Sequence, residues 1–377
     1  MQLCSSSHPD PTKTAILILG AQRSGTTWLG KIFDSHPDVL YRHEPDQSQP
    51  APPGLAADAV CSAVTNWLQE RSLRSCSKRP FFRKSWQSAP AFWLRNAVAA
   101  ALTVGTTVPL MGRTLERVSL PDMVTGHHAS RLRVALKSID FCNGAGAFAR
   151  ALPDSRTVMI LRHPCGQVAS IMRGAAQHRF ERRKGGAEMP YHEAQAMEFA
   201  ADRGVDATAF RRLPPAGKYA WSWVAFNETA LDGIEGLPNA HAVLYEDLCA
   251  APVAKAREIL AFAGLGWNGQ TADFIARSTS QSQSTGYYAV FRDSIATADR
   301  WRSSMAEADQ KAVCAVVRHS RLARLWPDIA PGTMSTSTTP CWPSDERVTT
   351  GLSRATVFAC VSLNKDMDGA PSRAMTM

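Results

Sequence analysis

Apolar residues along this chain fall into short unbroken runs, and each run is followed by a segment whose apolar positions return with helical spacing. The first run, Thr14 to Leu19, reads as a buried strand. It ends at Gly20, and a helix is expected from Thr26 to Ser35, where His36-Pro37 stops it. "VLYRHEP" resumes as a short extended segment. Leu132 to Ser138, the run "RTVMILRHP" that begins at Arg156, and "AHAVLYEDL" from Ala240 are further strands. Helical patterns follow them at Phe141 to Leu152, Cys165 to Met172 and Pro252 to Ala263. An apolar run without alternation, such as "VMIL", has to be buried on both faces, which a parallel sheet covered by helices provides. The repeated strand, turn and helix therefore predicts an α/β fold. A central parallel sheet with right-handed crossovers is flanked by helices, in the three-layer arrangement of P-loop-like proteins.

Two stretches interrupt this alternation. Residues 46–131 open with "DQSQPAPPG", a flexible entry, and then carry "AVCSAVTNWLQERSLRSC" and "APAFWLRNAVAAALTV" as amphipathic helices. Residues 173–215 include the charged and polar stretch "RGAAQHRFERRKGGAEMPYHEA". Excursions this long inside a compact domain are usually lids, substrate walls or unstructured segments. Beyond Pro327 the chain turns to Ser, Thr and Pro. Residues 327–377 are thus expected to form a loose tail, 1–13 an N-terminal extension, and 14–326 one domain.

Composition narrows the picture further. Of the 377 residues, 45% are hydrophobic and 20% charged, enough apolar material for a sizeable core. The formal net charge of +9 favours an anionic ligand or surface without choosing among them. The nine cysteines form no C-x-x-C and no regular spacing, which fits a reducing compartment. The first residues hold no apolar run of the signal or anchor type, so a cytoplasmic protein without stable membrane insertion is the expectation. His127-His128 and His192 lack a partner at metal-ligand spacing, and no metal site is expected.

The candidate chemistry lies at the strand ends. Gly20 to Thr27, "GAQRSGTT", nearly repeats the phosphate-cradling pattern G-x-x-x-x-G-K-[ST], with Thr26 in place of the lysine and Arg23 inside the loop. Backbone N–H groups at a helix start bind an anion with or without that lysine. An ATPase would also need a magnesium-holding carboxylate at the end of a buried strand, but "VMILRHP" puts Arg162 there. Arg162 and Ser170, on the helix that follows, can together hold a second phosphate by charge-assisted hydrogen bonds.

With two phosphate sites and no metal acid, the chain resembles the PAPS-dependent sulfotransferases, whose donor is 3′-phosphoadenosine 5′-phosphosulfate. "QRSGTTWL" is similar to their 5′-phosphosulfate loop and "RHPCGQVAS" to their 3′-phosphate segment. "VLYEDL" is similar to the strand that places an adenine-contacting tyrosine, and "AREILAFAGL" to the helix after it, all in the family's order from Thr14 to Leu265. The resemblance implies that Arg23, Ser24, Gly25, Thr26 and Thr27 surround the phosphosulfate. It implies that Arg162 and Ser170 hold the 3′-phosphate and that Trp28 and Tyr245 lie beside the adenine. Arg23 stands where cytosolic members carry a lysine at the bridging oxygen, and no metal is required.

"SHPDVLYRHEPDQ" resembles the segment of the tyrosylprotein and glycan sulfotransferases whose glutamate is the general base, which makes Glu44 the base here. His43 is the competing choice, since small-molecule members use a histidine, although theirs follows a later strand, which in this chain ends "LKSIDF". Lys137, at that strand end, is a further candidate contact to the sulfuryl group. Toward the C-terminus, "TGYYAVFRDSIATADRWRSSM" lies where the family closes a basic and aromatic segment over the nucleotide, giving Arg292, Trp301 and Arg302 as candidates. The expected activity is sulfuryl transfer from PAPS to a hydroxyl of a carbohydrate, glycolipid or small metabolite, with no nucleic-acid partner. Two other readings stay open at this stage. One is an ATP-dependent kinase on the same fold; the other is a non-catalytic anion-binding protein, in which Trp28 and Tyr245 only pack and Glu44 only pairs with Arg42.

Overall fold

The first apolar run forms β1 (Ala15–Leu19), buried along its whole length. In the computed structural model it is the middle strand of a five-stranded sheet with β2 (Val39–His43), β3 (Arg133–Ser138), β4 (Arg156–Leu161) and β5 (Ala240–Leu244). The spatial order is β2-β3-β1-β4-β5 and every pairing is parallel. The structure describes residues 15–51, 56–107, 112–122, 124, 132–177, 193–280 and 294–329. The longer helices are α1 (Thr26–Ser35), α2 (Ala57–Gln69), α3 (Ala89–Gly105), α4 (Ala145–Ala151), α5 (Pro164–Ala176), α6 (Pro215–Ile234), α7 (Tyr245–Ala250), α8 (Pro252–Phe262), α9 (Gly269–Ser280) and α10 (Glu307–Val317).

Successive residues of a strand point to opposite faces, and here both faces are covered. Ala15, Leu17 and Leu19 pack with Val64 of α2, Phe148 of α4, Val168 of α5, Trp223 of α6 and Val313 of α10. Ile16 and Ile18 pack with Leu29 of α1, Ile259 of α8 and Phe274 of α9. The result is the three-layer α/β arrangement that the unbroken apolar runs predict.

Several elements differ from the sequence reading. "VLYRHEP" supplies a full edge strand, β2, in register with β3 from Val39 opposite Arg133 to His43 opposite Lys137. The helix expected from Phe141 starts at Ala145, because the Ser138 hydroxyl first accepts the N–H groups of Asp140 and Phe141 and holds the chain in a turn. α6 was not anticipated. It buries residues on most of its circumference, including Trp221, Trp223, Phe226, Asn227 and Glu228, so it lacks the one-sided stripe that betrays a surface helix. The folded part runs to at least Ile329, past the expected end at 326, with Trp326 and Ile329 in the core. The N-terminal extension 1–13, the charged stretch 178–192 and the chain from 330 on lie outside the described residues.

Buried ion pairs fasten the first excursion to the sheet edge. Lys31 of α1, 1% exposed, donates to Asp34 Oδ2 at 2.6 Å and to the carbonyls of Lys78 and Pro80 at 2.5 and 3.1 Å. Lys84 reaches the other Asp34 oxygen at 2.8 Å. On β2, the buried Arg42 donates to Asp122 at 2.5 Å. Burial alone would lift the Asp34 carboxyl, yet Lys31 and Lys84 hold it below its ordinary range. Removing one member of such a cluster strands the others without counter-charge in a poorly solvated place. Asp34→Ala should therefore cost about 3–5 kcal/mol in urea denaturation. Glu307→Ala, which breaks an exposed pair with Lys311, should leave the midpoint almost where it was.

Candidate active site

Between β1 and α1 the chain reverses through two left-handed residues, Arg23 (φ 71°) and Gly25 (φ 104°), with Ser24 fully buried between them. A Cβ on Gly25 would stand 2.5 Å from Cδ2 of Tyr245, so glycine is required both for its φ and for its missing side chain. Alternating handedness turns successive N–H groups toward one concavity, a nest suited to an anion. No side chain caps α1. The N–H groups of Thr26 and Thr27, with no carbonyl a turn earlier in the helix, add to that concavity along with the positive end of the helix dipole.

The second cationic site grows from the end of β4. Arg162 Nη1 donates to the Arg23 carbonyl at 3.1 Å, Nη2 donates to the Thr297 carbonyl at 3.1 Å, and the guanidinium lies 4.6 Å over the Tyr245 ring. The Arg162 carbonyl is itself held by Trp223 Nε1 at 3.0 Å. Ser170, two turns along α5, accepts from Arg23 Nε at 3.2 Å. The loop and the Arg162–Ser170 pair, far apart in the sequence, thus form one continuous basic surface. Arg162 Nε and Ser24 Oγ, both buried, have no hydrogen-bond partner among the described residues. Polar atoms in that state are the ones a phosphate or sulfate would satisfy.

Trp28 packs edge-on against Tyr245 with ring centroids 6.2 Å apart, and its indole N–H donates to Ser278 at 3.1 Å. Both rings are nearly buried, Trp28 at 9% and Tyr245 at 7% exposure, so each contributes at most an edge to a ligand. Trp301 stacks on His163 at 4.4 Å, next to the start of α5. Arg302 lies at the surface, paired with Asp299 and Asp328. Arg292 lies outside the described residues.

On the opposite side of the loop, β2 and β3 end side by side. Glu44 follows β2 with φ 50°; its N–H donates to the Lys137 carbonyl at 2.8 Å and its carboxylate accepts from Lys137 Nζ. Lys137 is 2% exposed. His43 Nδ1 bonds the Tyr41 hydroxyl at 2.9 Å, and its Nε2 stands 3.8 Å from Glu44. Burial first, then the Lys137 charge, pulls the imidazole well below its ordinary value, so His43 is neutral at pH 7. Arg42 does not pair with Glu44; it turns the other way, to Asp122.

Two residues of this side escaped the sequence reading. Asp46, in the short turn Pro45–Gln47, accepts from the Ser138 hydroxyl with one oxygen and has its other oxygen buried without a partner among the described residues. Burial, helped by Asp140 and Glu44 and opposed by the Ser138 hydrogen bond, raises its carboxyl to about 6. Its place in "HEPDQ", two residues from Glu44, was the available signal. Lys78 comes from deep in the excursion, where nothing periodic marks it. Its ammonium lies close enough to Lys137, Glu44, Lys31 and Arg23 to feel their charges, and burial followed by the Lys137 charge lowers its pKa. Beside it opens a small pocket, lined among others by Lys31, Tyr41, Arg42, Lys78, Phe92 and Arg95.

The chain is 25% identical over 326 residues to carbohydrate sulfotransferase 5 of Mus musculus, a match that covers 77% of this chain and 75% of that one. Among solved structures it is similar to the sulfotransferase domain from the curacin biosynthetic pathway, at 15% identity over 80% of this chain and 95% of that one, with a TM-score of 0.38. Mouse sulfotransferase SULT7A1 complexed with PAP is similar at 12% identity over 85% and 93%, also with a TM-score of 0.38. The profile described as "Sulfotransferase family" matches residues 15–269, more than half of the chain. On that match, the chain belongs to the sulfotransferase family.

Proposed function

We propose that the protein moves the sulfuryl group of PAPS to a hydroxyl on a carbohydrate, a glycolipid or a small polar metabolite. The observation that carries this reading is the direct junction of two anion sites: Arg23 Nε on Ser170 Oγ, and Arg162 Nη1 on the Arg23 carbonyl. A donor with a phosphate at each end of its nucleoside sugar needs both sites at once, whereas ATP needs one phosphate cradle and a metal-holding acid. The kinase alternative falls with membership of the sulfotransferase family. The relative named a carbohydrate sulfotransferase supports a carbohydrate acceptor. The cytoplasm is the compartment this reading favours, on the unpatterned cysteines alone.

PAPS, when bound, supplies an activated sulfuryl group whose departing oxygen belongs to a phosphate. In this reading the N–H groups of residues 23–27 and the hydroxyls of Ser24, Thr26 and Thr27 hold the 5′ end, and Arg23 stabilises charge on the departing oxygen. Arg162 and Ser170 hold the 3′-phosphate, Trp28 and Tyr245 border the adenine, and Arg302 closes from the surface. Glu44 takes the proton of the acceptor hydroxyl as the new S–O bond forms, and Lys137 fixes the direction of that carboxylate. Lys78 adds positive charge on the acceptor side. His43 is the weaker candidate for the base because its Nδ1 is engaged by Tyr41 and its ring is buried.

The donor assignment is tested by ligand stabilisation. Adenosine 3′,5′-bisphosphate should raise the melting temperature more than ATP with magnesium does, and Arg162→Ala should weaken its binding by about 1.5–3 kcal/mol with the fold retained. Equal stabilisation by magnesium ATP would remove the PAPS reading. For the base, Glu44→Gln should leave bisphosphate affinity nearly intact and lower single-turnover transfer about a hundredfold or more, with His43→Ala doing much less. The reverse ranking would move the base to His43.

Asp46 gives a prediction in pH. Its folded pKa of about 6 lies above the ordinary 3.8, so between those values the native state holds a proton that the unfolded chain has released. Its stabilising contribution is complete below about pH 4 and is lost as pH rises through 6. Chemical denaturation at several pH values should show wild-type stability declining across that window relative to Asp46→Asn; parallel curves would mean that Asp46 titrates normally.

A further inference from the structure

Among the described residues five large hydrophobic side chains stand well exposed, and four of them, Trp93, Leu94, Val98 and Val104, lie on α3. Trp93 is 69% exposed, Leu94 65% and Val104 68%. Ala97 and Ala101, also exposed, fill the positions between them at helical spacing, so one side of α3 is an unbroken apolar stripe. The inward side is different: Phe92, Arg95 and Asn96 line the cavity beside Lys78, and Ala99 is fully buried. A helix apolar on nearly every side is normally enclosed, yet this one buries a single residue completely.

The chain around the stripe is strongly basic. Residues 71–95 contain seven Lys and Arg and not one Asp or Glu. Lys84 is spent on Asp34 inside the protein, but Arg79 and Arg83 are exposed on the approach to α3; on the return Arg117 is exposed beside an equally exposed Glu116. A second copy meeting this face through the same surface would bring like charges together. An aromatic and aliphatic stripe preceded in the chain by exposed arginines instead fits an interface that is apolar below and anionic above. That is the chemistry of a lipid leaflet with acidic headgroups.

We propose that α3 docks the protein on an anionic lipid surface, lying in the plane of the interface with Trp93, Leu94, Val98 and Val104 toward the acyl chains. No helix among the described residues is long and apolar enough to cross a membrane, so the contact is peripheral. It brings the cavity on the inward side of the same helix next to the lipid. The docking itself does not depend on the sulfotransferase reading of the site.

The test is flotation of the full chain with vesicles of phosphatidylcholine alone and of phosphatidylcholine mixed with phosphatidylglycerol. The protein should float with the mixed vesicles, less with the neutral ones, and lose part of its binding as salt is raised. The double variant Trp93→Gln, Leu94→Gln should partition at least about tenfold less, while its urea-unfolding midpoint stays near the wild-type value and reports an intact fold. Wild-type protein that ignores the mixed vesicles would overturn the proposal, as would a double variant that floats equally well. So would a wild-type dimer in sedimentation that the two substitutions dissolve with no vesicle binding by either protein; that result would assign the stripe to a second copy.

Discussion

Gly25 has room for no side chain: a Cβ there would run into the Tyr245 ring, and Tyr245 carries the Arg162 guanidinium 4.6 Å above its face. Arg162 in turn grips the carbonyl of Arg23, whose side chain reaches Ser170. One backbone position thus sets the spacing between the start of α1, the ring that ends β5 and the cation that ends β4. A larger residue at 25 would push Tyr245 away and loosen the guanidinium resting on it, even though neither belongs to the loop. The left-handed turn at Arg23 and Gly25 is strained for any residue with a side chain, and it persists because contacts from three strands hold it.

Charge is arranged around this junction with the same economy. Arg23, Arg162, Lys137 and Lys78 come from the loop, β4, β3 and the excursion, and the carboxylate of Glu44 stands among them. Cations in a poorly solvated cleft act on an anion more strongly than they would in water, and they are oriented before any ligand arrives. Further back, other buried cations have their own counter-charges, Asp34 for Lys31 and Lys84, and Asp122 for Arg42. The acidic residues that stabilise the fold are thereby kept apart from the cations that face the cleft.

The parts legible in the sequence are those fixed by local pattern. β1, β3, β4 and β5 announce themselves as apolar runs, α1 is bounded by Gly25 and His36-Pro37, and the glycines of the loop need φ values and clearances that few residues allow. Arg162 was found because it stands where a carboxylate would otherwise be. What the sequence hid are the features created by distance. β2, ending in Arg42 and His43, is too polar at its end to read as a strand without its partner β3; α6 is buried on most sides and so shows no stripe. Lys78 sits in an irregular stretch whose carbonyl is held by Lys31 of α1. The first excursion, which its length alone leaves open as a lid, a substrate wall or an unstructured segment, is tied by its own backbone carbonyls to Lys31 of α1.

The strand order has a consequence for how such a protein can be altered. Arg23, Arg162, Ser170 and Tyr245 follow β1, β4 and β5, while Glu44 and Lys137 end the two strands on the other side of β1, and the whole first excursion is threaded between those two strands. The sheet therefore works as a partition, with a fixed half and an interchangeable half. Chain inserted between β2 and β3 can be lengthened, shortened or grafted from another source while the fixed half is kept, provided that Lys31 still finds carbonyls to bind and that Asp34 and Arg42 keep the partners that Lys84 and Asp122 supply. A graft that kept "SKRP", Lys84 and Asp122 and replaced the rest would preserve those anchors while presenting a new wall to the cleft.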